Sequence, residues 1–356
     1  MRVAAIIRPN NGCSFYRILL PLEYMPWSKE DQVKLFYPEG TVIREEDRHL
    51  AGTVKEIEEY KPDLIFFNAS FLNTSLDWLR LKKLEGVKLV ADIDDYWEMS
   101  PVHPVYNQWY ANGFNKKTRE VVELVDLVFA ATETLYKKCR EEANKNCVII
   151  SNAVPYDTKH YQKIEGQKFI PKTNFLYAGG STHYNDVLLL KNKFDKIGGD
   201  KYIKDNAIFT LAGFNPIQDS KVHCQWDKMA SIFKRTGSYQ ILDTLPIQEH
   251  MGFYDQADVC LIPLESSEFN RSKSVLKIIE ASTRELPCIV SDVLPYNELK
   301  DLPIFWEDWI KNIKFCIKNP KAIQEMGKEL AQEMKKRYDI NPWAEQRYQL
   351  FIHLLK

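Results

Sequence analysis

No C-x-x-C pair occurs anywhere in this chain. Its seven cysteines (Cys13, Cys139, Cys147, Cys224, Cys260, Cys288 and Cys316) are scattered, which argues against a zinc ribbon or a disulfide framework and for a reducing compartment. Also missing is any apolar run approaching the roughly 20 residues that span a bilayer. The first residues run straight into a strand pattern, so no leader is expected, and the expected location is the cytoplasm. Charge of one sign is not in excess: 48 Lys and Arg stand against 49 Asp and Glu, a net charge of −1. A dedicated nucleic-acid binder usually carries a basic footprint that this balance lacks. The dinucleotide fingerprint G-x-G-x-x-G is absent, and neither a fixed-period repeat nor a low-complexity segment is found.

What is present is ordinary globular material with a strong rhythm. At 356 residues, 45% hydrophobic and 27% charged, the chain is long enough for about two domains, each with its own core. Short buried-strand patterns such as Val3-Ala4-Ala5-Ile6-Ile7, Leu64-Ile65-Phe66-Phe67 and Val87-Lys88-Leu89-Val90-Ala91 alternate with amphipathic helical stretches. A polar segment from about Tyr156 to Thr173, with Gly166 and Pro171, reads as a linker. The alternation then restarts at Asn174-Phe175-Leu176-Tyr177-Ala178 and runs through helices predicted at Asp186–Phe194, Trp309–Lys318, Pro320–Tyr338 and Pro342–Leu355. Two βα-alternating halves in succession predict an α/β protein with paired doubly wound, parallel-sheet domains and a cleft between them.

Ligands of open α/β folds sit at the carboxyl ends of the strands, so the strand-end loops hold the candidate residues. After the first strand comes a turn-rich loop, with Arg17 in the helix beyond it. The strand end Asp92-Ile93-Asp94-Asp95 places three carboxylates within four residues; mutual repulsion keeps such a group at a solvated mouth or on something positive. As a general base, a holder of sugar hydroxyls or a cation site it has chemistry to offer, and as a plain solvated strand end with a capping aspartate it has none. The aromatic, Pro-punctuated loop Tyr96–Pro104 contains His103, a possible acid or base. Gly179-Gly180-Ser181-Thr182-His183 forms a strand-to-helix turn where backbone approaches an anionic group closely. The longest signal runs from Phe269 to Asp292: small polar and basic residues, an amphipathic helix with Val275, Leu276, Ile278 and Ile279 on its apolar side, then a turn and a buried strand. Lys273 and Lys277 stand one turn apart near that helix start, whose free N–H groups and dipole suit a phosphate.

These pieces, in this order, resemble the GT-B glycosyltransferases, close to the glycogen-synthase-like family 4 group and to the "family 1"-type enzymes of phage and bacteria. The matching segments are Gly12-Cys13-Ser14-Phe15-Tyr16-Arg17 with Pro21, Asp92-Ile93-Asp94-Asp95, Thr132-Glu133-Thr134-Leu135, Ser151-Asn152-Ala153-Val154, Gly179 to His183 with Asp186, and Phe269 through Glu280-Ala281. The resemblance implies two Rossmann-like domains, residues 1–170 on the acceptor side and 171–340 binding a nucleotide sugar, with a C-terminal helix (341–356) crossing back. It implies transfer of a sugar, hexose or pentose, from a nucleoside-diphosphate donor such as a UDP-sugar to a hydroxyl on a glycan, lipid, protein or modified DNA base. No cofactor or catalytic metal is required in such enzymes, and a phage-encoded one works in the host cytoplasm. Glu280 falls where the family contacts the nucleotide ribose; Asn270, Lys273, Ser274 and Lys277 fall where it meets diphosphate and sugar, and Gly179, Gly180, Ser181 and His183 form the glycine loop. Gly12, Ser14, Tyr16, Arg17 and His103 lie on the acceptor side or in the cleft, and Asp92, Asp94 and Asp95 are the catalytic candidates. One position departs: the first glutamate of the family's E-x7-E motif is Ser272 here, with Glu265 and Glu268 as nearby substitutes. Two other readings stay open, a nucleotide-sugar-binding protein without turnover and a metal-dependent phosphohydrolase built on the three aspartates.

Overall fold

The computed structural model describes residues 1–38, 52–71, 75–164, 171–215 and 225–356. The expected linker therefore lies partly outside the described residues. Uninterrupted apolar runs need cover on both faces, which a parallel sheet between helices supplies. Seven strands build the first sheet: β1 (Arg2–Ile6), β2 (Gln32–Tyr37), β3 (Gly52–Thr53), β4 (Leu64–Asn68), β5 (Lys88–Ile93), β6 (Leu127–Ala130) and β7 (Cys147–Ile149). Their order is β3-β2-β1-β4-β5-β6-β7, all parallel. Six more form the second sheet: β8 (Thr173–Ala178), β9 (Ala207–Phe214), β10 (Tyr239–Asp243), β11 (Val259–Ile262), β12 (Cys288–Val290) and β13 (Phe305–Trp306). Here the order is β10-β9-β8-β11-β12-β13, again all parallel. The order of connection reverses across the sheet between β1 and β4 and between β8 and β11. At such switch points neighbouring loops part and leave a crevice.

Helix 340–355 returns to the first sheet, as the resemblance implies. Asp339 caps it by accepting from Asn341 N at 3.0 Å, and Phe351 packs on Phe66 and Phe129 at ring separations of 5.4 and 5.9 Å. Its Tyr348 donates to Asp31 at 2.8 Å. A local defect in the first helix helps hold it there. Pro21 has no N–H to give the carbonyl four residues back, that of Arg17; the backbone widens into a π-turn over Phe15–Leu19, and Arg347 from the returning helix donates to the Arg17 carbonyl at 2.6 Å.

Helices Trp309–Lys318 and Pro320–Tyr338 fall where the pattern puts them. The stretch predicted as one helix from Asp186 to Phe194 is instead two, Tyr184–Leu188 and Lys191–Gly199. The break falls at Leu189-Leu190, where the apolar pattern runs on and gives no sign of it. Helices 106–111, 201–206 and 225–234 are additions that the pattern does not predict. Gly327 lets helix 320–338 lie against the backbone after helix 276–283: a Cβ there would collide with the Glu285 carbonyl oxygen. Gly327→Ala is expected to cost about 1–3 kcal/mol through overpacking, read as a lower urea midpoint with an unchanged slope.

Candidate functional site

Between the two sheets lies a cleft of about 490 Å³, walled by loops from both switch points. The first sheet contributes Asn10, Gly12, Cys13, Tyr16, Arg17, Asp94 and Asp95. From the second come Gly179, Gly180, His183, Lys273, Ser274, Lys277 and Glu280. Bonds cross it directly: Asn10 Oδ1 accepts from Ile247 N at 2.9 Å, Thr132 Oγ1 donates to the Ser272 carbonyl at 2.9 Å, and Lys273 Nζ lies 3.2 Å from Asp95 Oδ1.

On the second-sheet wall, the glycine bend meets the start of helix 276–283. Lys277 Nζ donates to the Ala178 carbonyl at 2.7 Å, and a Cβ on Gly179 would push that ammonium from its present place. Burial pulls the Lys277 pKa down to about 8. Lys273 behaves oppositely: burial opposes its charge, but Asp95 and Asp186 outweigh that and hold it above the ordinary lysine value.

Glu280 is buried and holds three hydrogen-bond partners. Tyr16 donates to its Oε1 at 2.6 Å and Tyr254 to its Oε2 at 2.7 Å. His250 Nε2 lies 2.9 Å from the same Oε1, while its Nδ1 lies 2.6 Å from the Ile247 carbonyl. Nδ1 thus faces an acceptor, while Nε2 also lies 2.7 Å from the Tyr16 hydroxyl, a group that can donate or accept. Burial alone would lower the His250 pKa, yet the Glu280 carboxylate raises it. Burial opposes the Glu280 charge too, and His250 with the two tyrosines holds its pKa below the usual range.

The three aspartates separate into three environments. Asp92 is fully buried and turned away from the cleft; Arg17 grips it through Nε at 2.7 Å and Nη2 at 2.9 Å, with Arg347 Nη1 at 3.5 Å. Asp95 faces Lys273. Asp94 has no cation partner among the described residues and accepts from Asn68 Nδ2 at 2.9 Å. Burial first, then the charges of Asp95 and Asp92, push its pKa up to about 6. Since the three carboxylates serve different partners, they do not converge on one cation, and no group of three or more His, Cys, Asp or Glu among the described residues is placed to hold one.

A side recess opens off the cleft, lined by His103, His183, Asp186, Glu265, Asn270 and Lys273. Asp186 organises it, taking His183 Nδ1 at 2.7 Å, Asn270 Nδ2 at 3.1 Å and Glu265 N at 2.8 Å. His103 packs edge-on to Phe269 at 5.0 Å; burial and then Lys273 lower its pKa to about 4, so it is neutral at pH 7. Ser272 is fully buried and donates back to the Glu268 carbonyl at 3.4 Å. Of its two substitutes, Glu268 points outward to Lys138 at 2.7 Å, whereas Glu265 lines the recess.

The structure thus brings most of the predicted residues to one place and sets a few aside. Arg17 touches the cleft wall, but its guanidinium is spent on Asp92. Ser14 accepts from Arg8 N at 2.9 Å beneath the first loop, and Ser181 sits in the turn after the glycines; neither lines the cleft. Sequence reasoning missed His250 and Tyr254, which sit in a 3-10 turn at 250–256; a lone histidine in an ordinary amphipathic stretch carries no signal.

No protein-family model matches the chain, and no curated protein does. Solved structures do. The Anabaena protein Alr3699/HepE in complex with UDP and glucose superposes with a TM-score of 0.69 at 11% identity, covering 99% of this chain and 100% of that one. Sucrose-phosphate synthase from Thermosynechococcus elongatus gives 0.67 at 13%, covering 99% of each chain. An alpha-glucosyltransferase in complex with UDP and a 13-mer DNA containing an HMU base gives 0.64 at 14%, covering 100% of this chain and 99% of that one. Similarity at this level speaks for architecture alone, and it spans the whole chain: two facing parallel-sheet lobes and a returning C-terminal helix give this protein the GT-B glycosyltransferase fold.

Proposed function

We propose that this protein transfers a sugar from a nucleoside-diphosphate sugar, with UDP-sugars the first candidates, to a hydroxyl acceptor. The observation that carries this reading is the convergence on one cleft of the Gly179 bend, Lys273, Lys277 and Glu280 from one sheet and Asp94 from the other. The two lysines and the N–H groups at the glycine bend suit a diphosphate leaving group, whose charge grows as the bond to the sugar's anomeric carbon breaks. His183, which lines both the cleft and the recess, offers the sugar hydroxyls a polar partner, and Glu265 lies behind it in place of the glutamate absent at Ser272. Asp94 receives the acceptor hydroxyl and takes its proton as the new glycosidic bond forms. Closure of the two lobes on the donor would exclude water and limit donor hydrolysis. Residues 1–170 then serve as the acceptor side and 171–340 as the donor side. The UDP seen with HepE and with the alpha-glucosyltransferase supports the choice of donor.

The direct test is a screen of UDP-, ADP- and GDP-sugars by thermal shift, followed by an assay for released nucleoside diphosphate with glycan, lipid, protein and modified-DNA acceptors. A raised melting point with at least one donor is expected, together with acceptor-dependent release. Binding without release from any acceptor leaves a non-catalytic binder, and binding of no nucleotide sugar overturns the proposal.

Two of the pKa shifts predict a bell-shaped pH profile. Asp94 must be ionised to take a proton, so activity is lost as pH falls through about 6. Lys277 must be protonated to hold a diphosphate, so donor affinity falls as pH rises through about 8. Both shifts belong to the ligand-free protein, so both limbs are expected in kcat/KM for the donor.

A further inference from the structure

Asn152 belongs to the segment that leaves the first sheet after β7 and is 4% exposed. Its surroundings determine which way its amide points. Arg17 carries N–H donors and no acceptor. Asp92 takes its Nε and Nη2, Nη2 also reaches the Ile150 carbonyl at 2.8 Å, and Nη1 meets Asn152 Oδ1 at 3.1 Å. The group facing Arg17 must therefore be the Asn152 carbonyl. Its NH2 then faces Ser274 Oγ on the opposite lobe, at 2.6 Å. That NH2 can only donate, so the Ser274 oxygen accepts and its own proton remains to be given elsewhere. Among the described residues no acceptor takes that proton, and Ser274 lines the cleft ahead of helix 276–283.

We propose that Asn152 is a positioning residue that sets the Ser274 hydroxyl as a hydrogen-bond donor to the diphosphate of the bound nucleotide. The inference rests on the transferase reading above and adds to it a chain of fixed polarity, Asp92 to Arg17 to Asn152 to Ser274, that begins in one lobe and ends at the ligand in the other. Without the Asn152 amide the serine hydroxyl is free to turn its proton to a neighbouring carbonyl, and the diphosphate loses a donor.

The test measures binding of UDP, with ADP and GDP alongside, and of the matching nucleoside, by calorimetry on the full chain. The proteins are wild type, Asn152→Ala, Asn152→Asp, Ser274→Ala and the double alanine variant. Each single alanine change is expected to weaken nucleoside diphosphate binding by about tenfold, in line with a bond to a charged group. The double variant should bind no more than about twofold more weakly than either single one, because both remove the same bond. Nucleoside affinity should stay unchanged in all of them. Asn152→Asp keeps the bond to Arg17 and the lobe contact but makes residue 152 the acceptor of the serine proton. Its diphosphate affinity should fall at least as far as that of Asn152→Ala, with no drop in melting point. Additive losses in the double variant, or equal losses for nucleoside and diphosphate, would show Asn152 to be only a lobe staple and overturn the inference. A wild type that binds no nucleoside diphosphate would instead overturn the transferase reading, and this inference with it.

Discussion

Asp94→Asn is expected to lower kcat by about 10²–10⁴, the usual contribution of a positioned general base, while the chain stays folded. An amide keeps an oxygen for Asn68 but cannot take the acceptor's proton. The stability side has a definite sign. A carboxylate whose folded pKa is about 6, above its ordinary value, costs stability once ionised; that cost is absent below about pH 4 and complete above about pH 6. The amide carries no such cost, so the variant's melting point at pH 7 should hold or rise, and the difference from wild type should vanish in acid. A variant that kept wild-type kcat would place the proton acceptor elsewhere.

Asp92→Ala should do the reverse, although it changes a carboxylate only two residues away. Arg17 and Arg347 share this one buried anion, and their side chains are each 1% exposed. Removing the anion leaves two uncompensated guanidinium groups in the interior. Breaking a buried pair in this way costs about 3–5 kcal/mol, a large share of the stability of an ordinary domain. Urea unfolding should show it as a much lower midpoint. Arg347 already feels the strain of its place, its pKa drawn down to about 9 by burial and then by the Arg17 charge. A shift in midpoint below about 1 kcal/mol would mean that the arginines find other partners or water.

That contrast marks how far the sequence could be read. Strands were legible because runs such as Leu64-Ile65-Phe66-Phe67 are apolar on both faces, and the paired parallel-sheet domains followed from their alternation with helices. The glycine bend and the lysine-bearing helix start were legible because each is a local backbone feature with its own residue signature. Local order could not say which of three neighbouring aspartates faces the cleft. That depends on Arg17 and Arg347, which are 75 and 255 residues from Asp92 along the chain. The family resemblance sets Glu280 against a ribose, while its tyrosine and histidine neighbours, Tyr16, His250 and Tyr254, are brought together only by the fold.

The chain passes from one sheet to the other after β7 and returns just before helix 340–355. The two passages are laced together: Val154 N donates to the Tyr338 carbonyl at 3.1 Å, and Ile340 N donates to the Val154 carbonyl at 3.1 Å. Two strands of one hinge thus swing as a single leaf. A parting of the lobes that kept both bonds would be a pivot about that line. Such a pivot would open the cleft most at the rim far from Val154 and least beside it.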